Sequence, residues 1–338
     1  ARGLGTDVAK HTYVVGGAVR DFVIDRPIKD VDVVIDSVAL SQRSPRDSDW
    51  FANQVVRAIP VRVNKETNNY GVALLKVLGS WTLDGLDMEG EEIEIANART
   101  ESYAQGGYKP TGVDPSTIEE DVYRRELTYN TLLLRLLDLA NGPDKADILD
   151  ITGCGLRDLA EGRMQCPADP DKTFSDDPSR MIRVIKFALR YGHKLTPDTK
   201  AAILRNAPKL KNVPSSHLAQ LLVQVVLKEG VWAKALEMMN DLHLLEPVRD
   251  LILKDKSFRS TMENFVKNQR MDLLFTLLDV GLPLDAPLRF LSSSDQERLR
   301  ENALKLGRRD AWDYLAMVKK PGIALRDKKF IPNLAQEH

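Results

Sequence analysis

Runs rich in β-branched residues, several alternating apolar with polar, occupy positions 13–15, 32–35, 61–63, 72–77 and 93–98. A period of two places every second side chain on one face and predicts strands. Positions 47–59 carry helical spacing instead. Residues 100–116 contain Gly106, Gly107, Pro110 and Pro115, a punctuation that predicts a mobile loop. At Thr117 the period changes. Thr117 and Glu120 stand at capping-box spacing, and leucines then recur at helical intervals to Leu139. Beyond Ala160 no strand pattern stands out. Helices are predicted over 177–191, 197–206, 215–228, 232–242, 258–280 (broken near Gln269), 294–306 and 309–318, with Gly230 and Gly307 at C-cap positions. The fold class is therefore α+β: a head built on a small mixed sheet, followed by an all-α remainder.

Composition narrows the function. The 338 residues, 43% hydrophobic and 29% charged, suit an ordinary globular chain with two or three cores. With 48 basic against 49 acidic residues there is no global pull toward nucleic acid, so any such binding needs a local basic stripe. Cys154 and Cys166 are too few for a disulfide scaffold and fit a reducing compartment. No Cys/His cluster has zinc spacing. The longest apolar runs fall short of a membrane span, and no signal-peptide core opens the chain. The expected location is the cytoplasm or an organelle matrix.

The stretch VVGGAVRDFVIDRPIKDVDVVID carries the first chemistry. Residues two apart in a strand share a face, so Asp30 and Asp32 present paired carboxylates while Val31 and Val33 point the other way. Two like charges so close are costly unless a cation joins them. Magnesium, a hard ion that takes carboxylate oxygen, fits, and a third carboxylate would complete a two-metal site for phosphoryl transfer. Glu94 is the candidate, with Glu92 on the same face as the second choice. In the alternative reading Asp30 caps a turn and Asp32 is a solvated edge residue. Gly16 and Gly17 upstream favour the first reading. Glycines between a strand and a helix let backbone N–H groups approach a phosphate.

These residues resemble a known family. GGAVRDFVIDRPIKDVDVVI is similar to the head motif of class II tRNA nucleotidyltransferases (CCA-adding enzymes) and bacterial poly(A) polymerases. IEIANAR resembles the strand that supplies the third carboxylate. EEDVYRRELTYNTLL resembles the segment usually written RRDFTINA, LDITGCGLRDL the segment DPxGGxxDL, and DPDKTFSDDPSRMIRVIKFALRYG the segment EDPxRxxRxxRFAxR. The five occur in family order over roughly residues 13–192. The resemblance implies a nucleotidyltransferase head at 1–138, a base-recognising neck at 139–230 and an RNA-binding all-α body and tail at 231–338. It implies metal binding by Asp30 and Asp32, with Glu94 as third catalytic carboxylate. Arg20 and Asp21 would organise the triphosphate pocket with Gly16 and Gly17. Arg125 and Glu126 would lie near the ribose, supported by Asn130. Glu126 replaces the usual Asp, and Leu127, Tyr129 and Thr131 replace Phe, Ile and Ala. Without the motif, Arg124 and Arg125 read as a solvated helix end.

Asp177 and Arg180 stand at i and i+3, adjacent on one helix face. A carboxylate there accepts from an exocyclic amino group and a guanidinium donates to a ring nitrogen. Cytosine and adenine both offer that pattern; uracil and guanine offer the reverse. The resemblance implies the same role: choice of CTP and ATP by protein side chains. The alternative makes Asp177 the helix N-cap; in the base-reading case Asp176 or Ser175 takes that duty. Arg180, Arg183, Lys186 and Arg190 form a basic side opposite Met181, Ile182, Val184, Ile185 and Leu189. That side is either a wet face or a grip on triphosphate (Arg183) and acceptor-stem phosphates (Lys186, Arg190). VRVNKETNNYGVALLKV lacks the Gly-Arg-Arg-Phe-like segment of poly(A) polymerases, and the 100–116 region resembles the flexible loop of CCA-adding enzymes. SSHLAQLLVQVVL lacks the Glu-Arg pair usual in the neck. The expectation is a magnesium-dependent enzyme that adds CCA to tRNA from CTP and ATP. CC-adding, A-adding, poly(A) and non-catalytic RNA-binding readings are the alternatives.

Overall fold

The computed structural model describes residues 5–28, 30–41, 47–58, 62–68, 70–80, 82–83, 86–87, 89–104, 107–142, 146–223, 225, 232–248 and 301. The expected helices over 258–280 and 309–318, with Gly230 and Gly307, lie outside these residues; of 294–306 only Glu301 is described, and it is helical. The chain divides into two compact units. One is Ala1–Arg180 with Tyr191–Arg205; the other is Met181–Arg190 with Asn206–His338.

In the first unit the strands run β1 (Thr12–Val15), β2 (Val31–Ile35), β3 (Val63–Thr67), β4 (Ala73–Val77), β5 (Thr82–Leu83), β6 (Leu86–Asp87), β7 (Glu92–Asn97), β8 (Arg99–Tyr103), β9 (Pro110–Pro115), β10 (Leu133–Arg135), β11 (Ile148–Leu149), β12 (Arg163–Met164) and β13 (Lys194–Leu195). Seven of them form one mixed sheet in the order β11-β10-β1-β2-β7-β4-β3. Among the described residues only β2 and β7 run parallel within it. A parallel pair needs a crossover, and helix Ser48–Ala58 lies in that connection. Alternation along β2 divides the core. Val33 and Ile35 pack with Phe51, Ala52, Leu75 and Ile95 on one face. Val34 packs with Tyr13, Val15, Ile118, Val122 and Leu133 on the other. The centre of β2 is thus buried on both sides, while its first residues open toward solvent.

Four expectations are corrected. The 100–116 region is not a loop: β8 and β9 pair as an antiparallel hairpin from Arg99↔Pro115 to Tyr103↔Pro110. Pro110 and Pro115 sit at the strand ends, where a missing N–H costs least. Gly107 closes the turn side, donating its N–H to the Ala104 carbonyl at 2.9 Å. The leucine run is also not one helix. After helix Ile118–Tyr123 come a 3₁₀ turn at Thr128–Asn130, strand β10, and helix Leu136–Asn141. Leu132, Leu133 and Leu134 are all buried, and consecutive burial suits a strand inside a sheet as well as a helix. The strand expected at 61–63 instead starts at Val63 and continues through the polar Asn64–Thr67 edge, where charge discourages further pairing. Beyond Ala160, β12 and β13 make a short parallel pair. Helices Ser48–Ala58, Ser179–Tyr191, Pro197–Asn206, Ser215–Val223 and Trp232–Asp241 fall where the spacing predicts them.

The second unit is helical over its described residues, with Met181, Ile182, Val184, Ile185, Leu210, Leu218, Leu222, Met239 and Leu242 buried.

The LDITGCGLRDL segment is held by its own aspartates. Asp150 accepts from the Thr152 hydroxyl (2.8 Å) and the Leu156 N–H (3.0 Å), and Asp158, fully buried, accepts from Thr128 Oγ1 at 2.8 Å. Gly155 lies so close to the 3₁₀ turn that an added Cβ would stand 2.8 Å from the Thr128 carbonyl oxygen and 3.0 Å from Leu132. Gly155→Ala should therefore destabilise the first unit by about 2 kcal/mol through overpacking against backbone. A denaturant titration checks this, and an unchanged midpoint would contradict the close approach.

Candidate functional site

The parallel pairing of β2 with β7 puts Asp32 directly beside Glu94. Ile93 and Ile95 join the core on the Val33 face, so Glu94 lies on the opposite face, shared with Asp32. Asp30 immediately precedes β2 and is exposed, as is Glu94. Glu92 is engaged elsewhere, in an ion pair with Lys76 at 2.7 Å. Among the described residues no three Asp, Glu, His or Cys side chains converge to hold a metal ion. The donor chemistry nonetheless suits magnesium. That ion keeps several waters and is commonly held by one or two carboxylates together with substrate phosphates rather than by an all-protein cage.

Gly16 sits against Asp32. Its φ of 73° lies in the left-handed region, which favours glycine. A Cβ at Gly16 would stand 3.7 Å from both Asp32 Oδ2 and Arg125 Nη1, and 3.8 Å from the Asn130 carbonyl oxygen. Helix Gly17–Val23 follows and carries Arg20 and Asp21. Arg20 is buried; it donates from Nη1 to Asn130 Oδ1 (2.6 Å) and from Nε to Asp21 Oδ1 (3.0 Å). The Tyr191 hydroxyl donates to the same Asp21 oxygen at 2.9 Å, and the Tyr191 ring lies 4.6 Å from the Arg20 guanidinium carbon. Asn130 Nδ2 in turn donates to the buried Glu126 at 3.2 Å. Arg20 and Asp21, Glu126 and Asn130, and Tyr191, from three distant parts of the chain, thus form one hydrogen-bonded group.

Arg124 and Arg125 are not a solvated helix end. Both are drawn onto Asp121, whose side chain is 0% exposed. Arg124 donates from Nε and Nη2 to Oδ1 at 2.9 and 2.7 Å; Arg125 donates from Nε and Nη2 to Oδ2 at 3.1 and 2.8 Å. The Arg99 backbone N–H adds a fifth bond to Oδ1 at 3.2 Å. Burial pushes the Asp121 carboxyl upward, but Arg125 and Arg124 outweigh it and hold its pKa below the usual carboxylate value. The capping box, with the Thr117 hydroxyl accepting from Glu120 N–H, fixes the start of the helix that carries Asp121.

Arg124 also reaches the hairpin, donating from Nη1 to Glu101 at 3.2 Å. Glu101 is almost fully buried and pairs with Arg99 as well, at 2.9 Å. The Tyr103 hydroxyl donates to Glu101 Oε2 at 2.5 Å. Desolvation raises the Glu101 pKa, yet Arg124, the Tyr103 hydroxyl, Arg99 and Arg180 together keep it low. Burial pushes the Tyr103 phenol strongly up, so it stays protonated and able to donate.

Arg180 stands apart from the expected wet face. It is 6% exposed and donates to the Thr173 carbonyl (3.4 Å) and to the Tyr103 hydroxyl (3.2 Å). Asp177 takes the capping contacts itself: Oδ1 accepts from the Ser179 N–H (2.9 Å) and hydroxyl (2.6 Å). Asp176 is paired with Lys172 instead. Asp177 Oδ2 remains 3.8 Å from Arg180 Nε. In the second unit Arg183 is exposed, and Lys186 and Arg190 are partly buried.

Sequence reasoning missed Asp121, Glu101, Tyr103 and Tyr191. Asp121 had a signal: it precedes Arg124 and Arg125 by three and four residues, the helical ion-pair spacing. Glu101 and Tyr103 lay in a stretch read as a loop, where the i, i+2 spacing of Arg99, Glu101 and Tyr103 carries no meaning, and their other partners Arg124 and Arg180 are distant in sequence.

Residues 12–165 match the family described as the Poly A polymerase head domain. The chain is 29% identical over 235 residues to the CCA-adding enzyme of Bacillus licheniformis, covering 68% of this chain and 50% of that protein. It is 29% identical over 241 residues to the A-adding tRNA nucleotidyltransferase of Aquifex aeolicus, covering 70% and 25%. It is 25% identical over 262 residues to poly(A) polymerase I of Escherichia coli, covering 76% and 51%. The chain thus spans half or less of the length of two of these relatives and about half of the third. Among solved structures, an apo CCA-adding enzyme superposes with a TM-score of 0.59 at 24% identity, covering 89% of this chain and 66% of that one, a likeness of fold.

The buried charges have a pH signature. Asp121 and Glu101 bind protons less readily folded than unfolded. Their stabilisation is complete above the unfolded carboxylate pKa of about 4 and is lost as pH falls through their depressed folded values. Asp121→Asn strands two guanidinium groups and should cost about 3 kcal/mol at neutral pH. In urea titrations the deficit relative to wild type should shrink below about pH 4. A deficit independent of pH would contradict the charge-based account.

Proposed function

From the match of residues 12–165 to the poly A polymerase head domain we propose that this chain is a template-independent nucleotidyltransferase that adds CCA to tRNA 3′ ends. The observation that carries the reading is the β2–β7 register, which sets Asp32 beside Glu94 on the face where Gly16 and Arg125 meet. Asp30 and Asp32 would hold magnesium, which supplies charge neutralisation for the triphosphate and a more acidic primer hydroxyl. Glu94 is the third carboxylate in this reading.

The chain's own groups do the rest. Gly16 and Gly17 expose backbone to the phosphates without a Cβ in the way. Arg20, oriented by Asp21, Asn130 and the Tyr191 ring, presents positive charge from a fixed position. Arg125, pinned on Asp121, and Glu126, bonded to Asn130, form the ribose side of the pocket. Asp177 accepts from the exocyclic amino group of cytosine or adenine, and Arg180 donates to the ring nitrogen. Lys186 and Arg190 of the second unit are assigned to RNA phosphates. The three relatives carry three different tailing activities in their names, so CC-adding, A-adding and poly(A) synthesis are the competing readings.

The test is incorporation of each labelled nucleotide, with magnesium, onto tRNA ending at the discriminator base, at C and at CC. CTP should enter the first two and ATP the third, then stop. Long A-tails would establish the poly(A) reading, and A-addition alone to CC-ended tRNA the A-adding one. Asp32→Ala should lower turnover by more than the roughly 100-fold expected of an outer-shell partner, with RNA binding kept. Retained incorporation would refute the metal assignment.

A further inference from the structure

Arg180 is expected to offer donors to a base, yet both terminal nitrogens of its guanidinium are anchored on groups other than Asp177. Nη1 donates to the Thr173 carbonyl at 3.4 Å, and Nη2 donates to the Tyr103 hydroxyl at 3.2 Å and lies 3.5 Å from Glu101 Oε2. The guanidinium carbon stands 5.9 Å from the Tyr103 ring centre. Asp177 Oδ2, the nearest other carboxylate oxygen, is 3.8 Å away and outside hydrogen-bond range. Glu101 is itself fixed: Arg99 and Arg124 pair with Oε1 at 2.9 and 3.2 Å, and the Tyr103 hydroxyl donates to Oε2.

This arrangement has a consequence for selectivity. A guanidinium beside a carboxylate at i and i+3 tends to close onto it in a bidentate pair. If Arg180 closed onto Asp177, each would satisfy the other, and neither the acceptor for an exocyclic amino group nor the donor for a ring nitrogen would remain. The Glu101–Tyr103 couple supplies the competing negative charge and the acceptor that hold Arg180 back. We propose that Glu101 and Tyr103 of the β8–β9 hairpin are positioning residues that set base selectivity by holding Arg180 off Asp177.

The inference rests on the reading of Asp177 and Arg180 as the base-selecting pair, and the experiment separates the two. Steady-state incorporation of CTP, ATP, UTP and GTP is measured for wild type, Glu101→Gln, Tyr103→Phe and the double variant, with thermal melting beside it. Tyr103→Phe keeps the ring and removes one oxygen, so it reports even where Glu101→Gln fails to fold. KM for CTP and ATP should rise about tenfold in Glu101→Gln and about threefold in Tyr103→Phe, on the scale of one lost charge-assisted hydrogen bond. UTP and GTP should gain no such penalty, so discrimination falls by the same factors, with kcat changing less than KM. In the double variant the two effects should not add, because both act through one guanidinium. Equal losses for all four nucleotides, or unchanged discrimination in Tyr103→Phe, would overturn the inference while leaving the proposed function standing. A wild type without preference for CTP and ATP over UTP and GTP would overturn both.

Discussion

The first unit is organised around one buried carboxylate. An isolated charge at Asp121 would be too costly to keep in an apolar interior, since desolvation alone amounts to several kcal/mol. The structure meets that cost with two side-on guanidinium groups and a backbone N–H. Each partner then carries the constraint outward. The Arg99 N–H ties in the start of the hairpin. Arg124 continues to Glu101, and through Tyr103 to Arg180. Arg125, held on the other oxygen, points its free edge toward Gly16 and Asp32. A single charge-balance requirement therefore fixes three features that are far apart in the chain: the hairpin, the start of the helix that carries Arg180, and the backbone beside Asp32.

A second constraint is geometric. Among the described residues the pairing of β2 with β7 is the one parallel pair in the sheet, and helix Ser48–Ala58 lies in the connection between them. Because the two strands run the same way, Asp32 and Glu94 meet at the same end and on the same face. The apolar neighbours Val33, Ile35 and Ile95 bury the opposite face and forbid a one-residue slip of β2 against β7, which would turn Asp32 toward that apolar face.

Much of this was legible in the sequence, and the parts that were not share a cause. Alternation located β1, β2, β4 and β7, and within β2 Val31 and Val33 turn to the core face opposite Asp32, while Asp30 precedes the strand. The capping box at Thr117 and Glu120 is present. Failures fell where tertiary pairing overrides local pattern. The β8–β9 hairpin is rich in glycine and proline, and its order comes from cross-strand bonds and from Glu101 meeting Arg99, Arg124 and Arg180. The leucines at 132–134 read as helix because buried strand and buried helix look alike over three residues. Asp177 shows the limit in miniature: its spacing suggested either a cap or a base reader, and the structure shows one oxygen capping Ser179 while the other faces Arg180.

The central claim is that the Gly16, Asp32 and Arg125 wall and the Asp177–Arg180 pair belong to one nucleotide pocket. A crystal structure of the full chain with CTP and magnesium tests it most directly. The account predicts the triphosphate at Gly16 and Gly17, an ion on Asp30 and Asp32, and the cytosine amino group and ring nitrogen on Asp177 and Arg180, with Arg180 still bonded to Tyr103. A cytosine bound with its Watson–Crick edge away from Asp177 and Arg180 would contradict it.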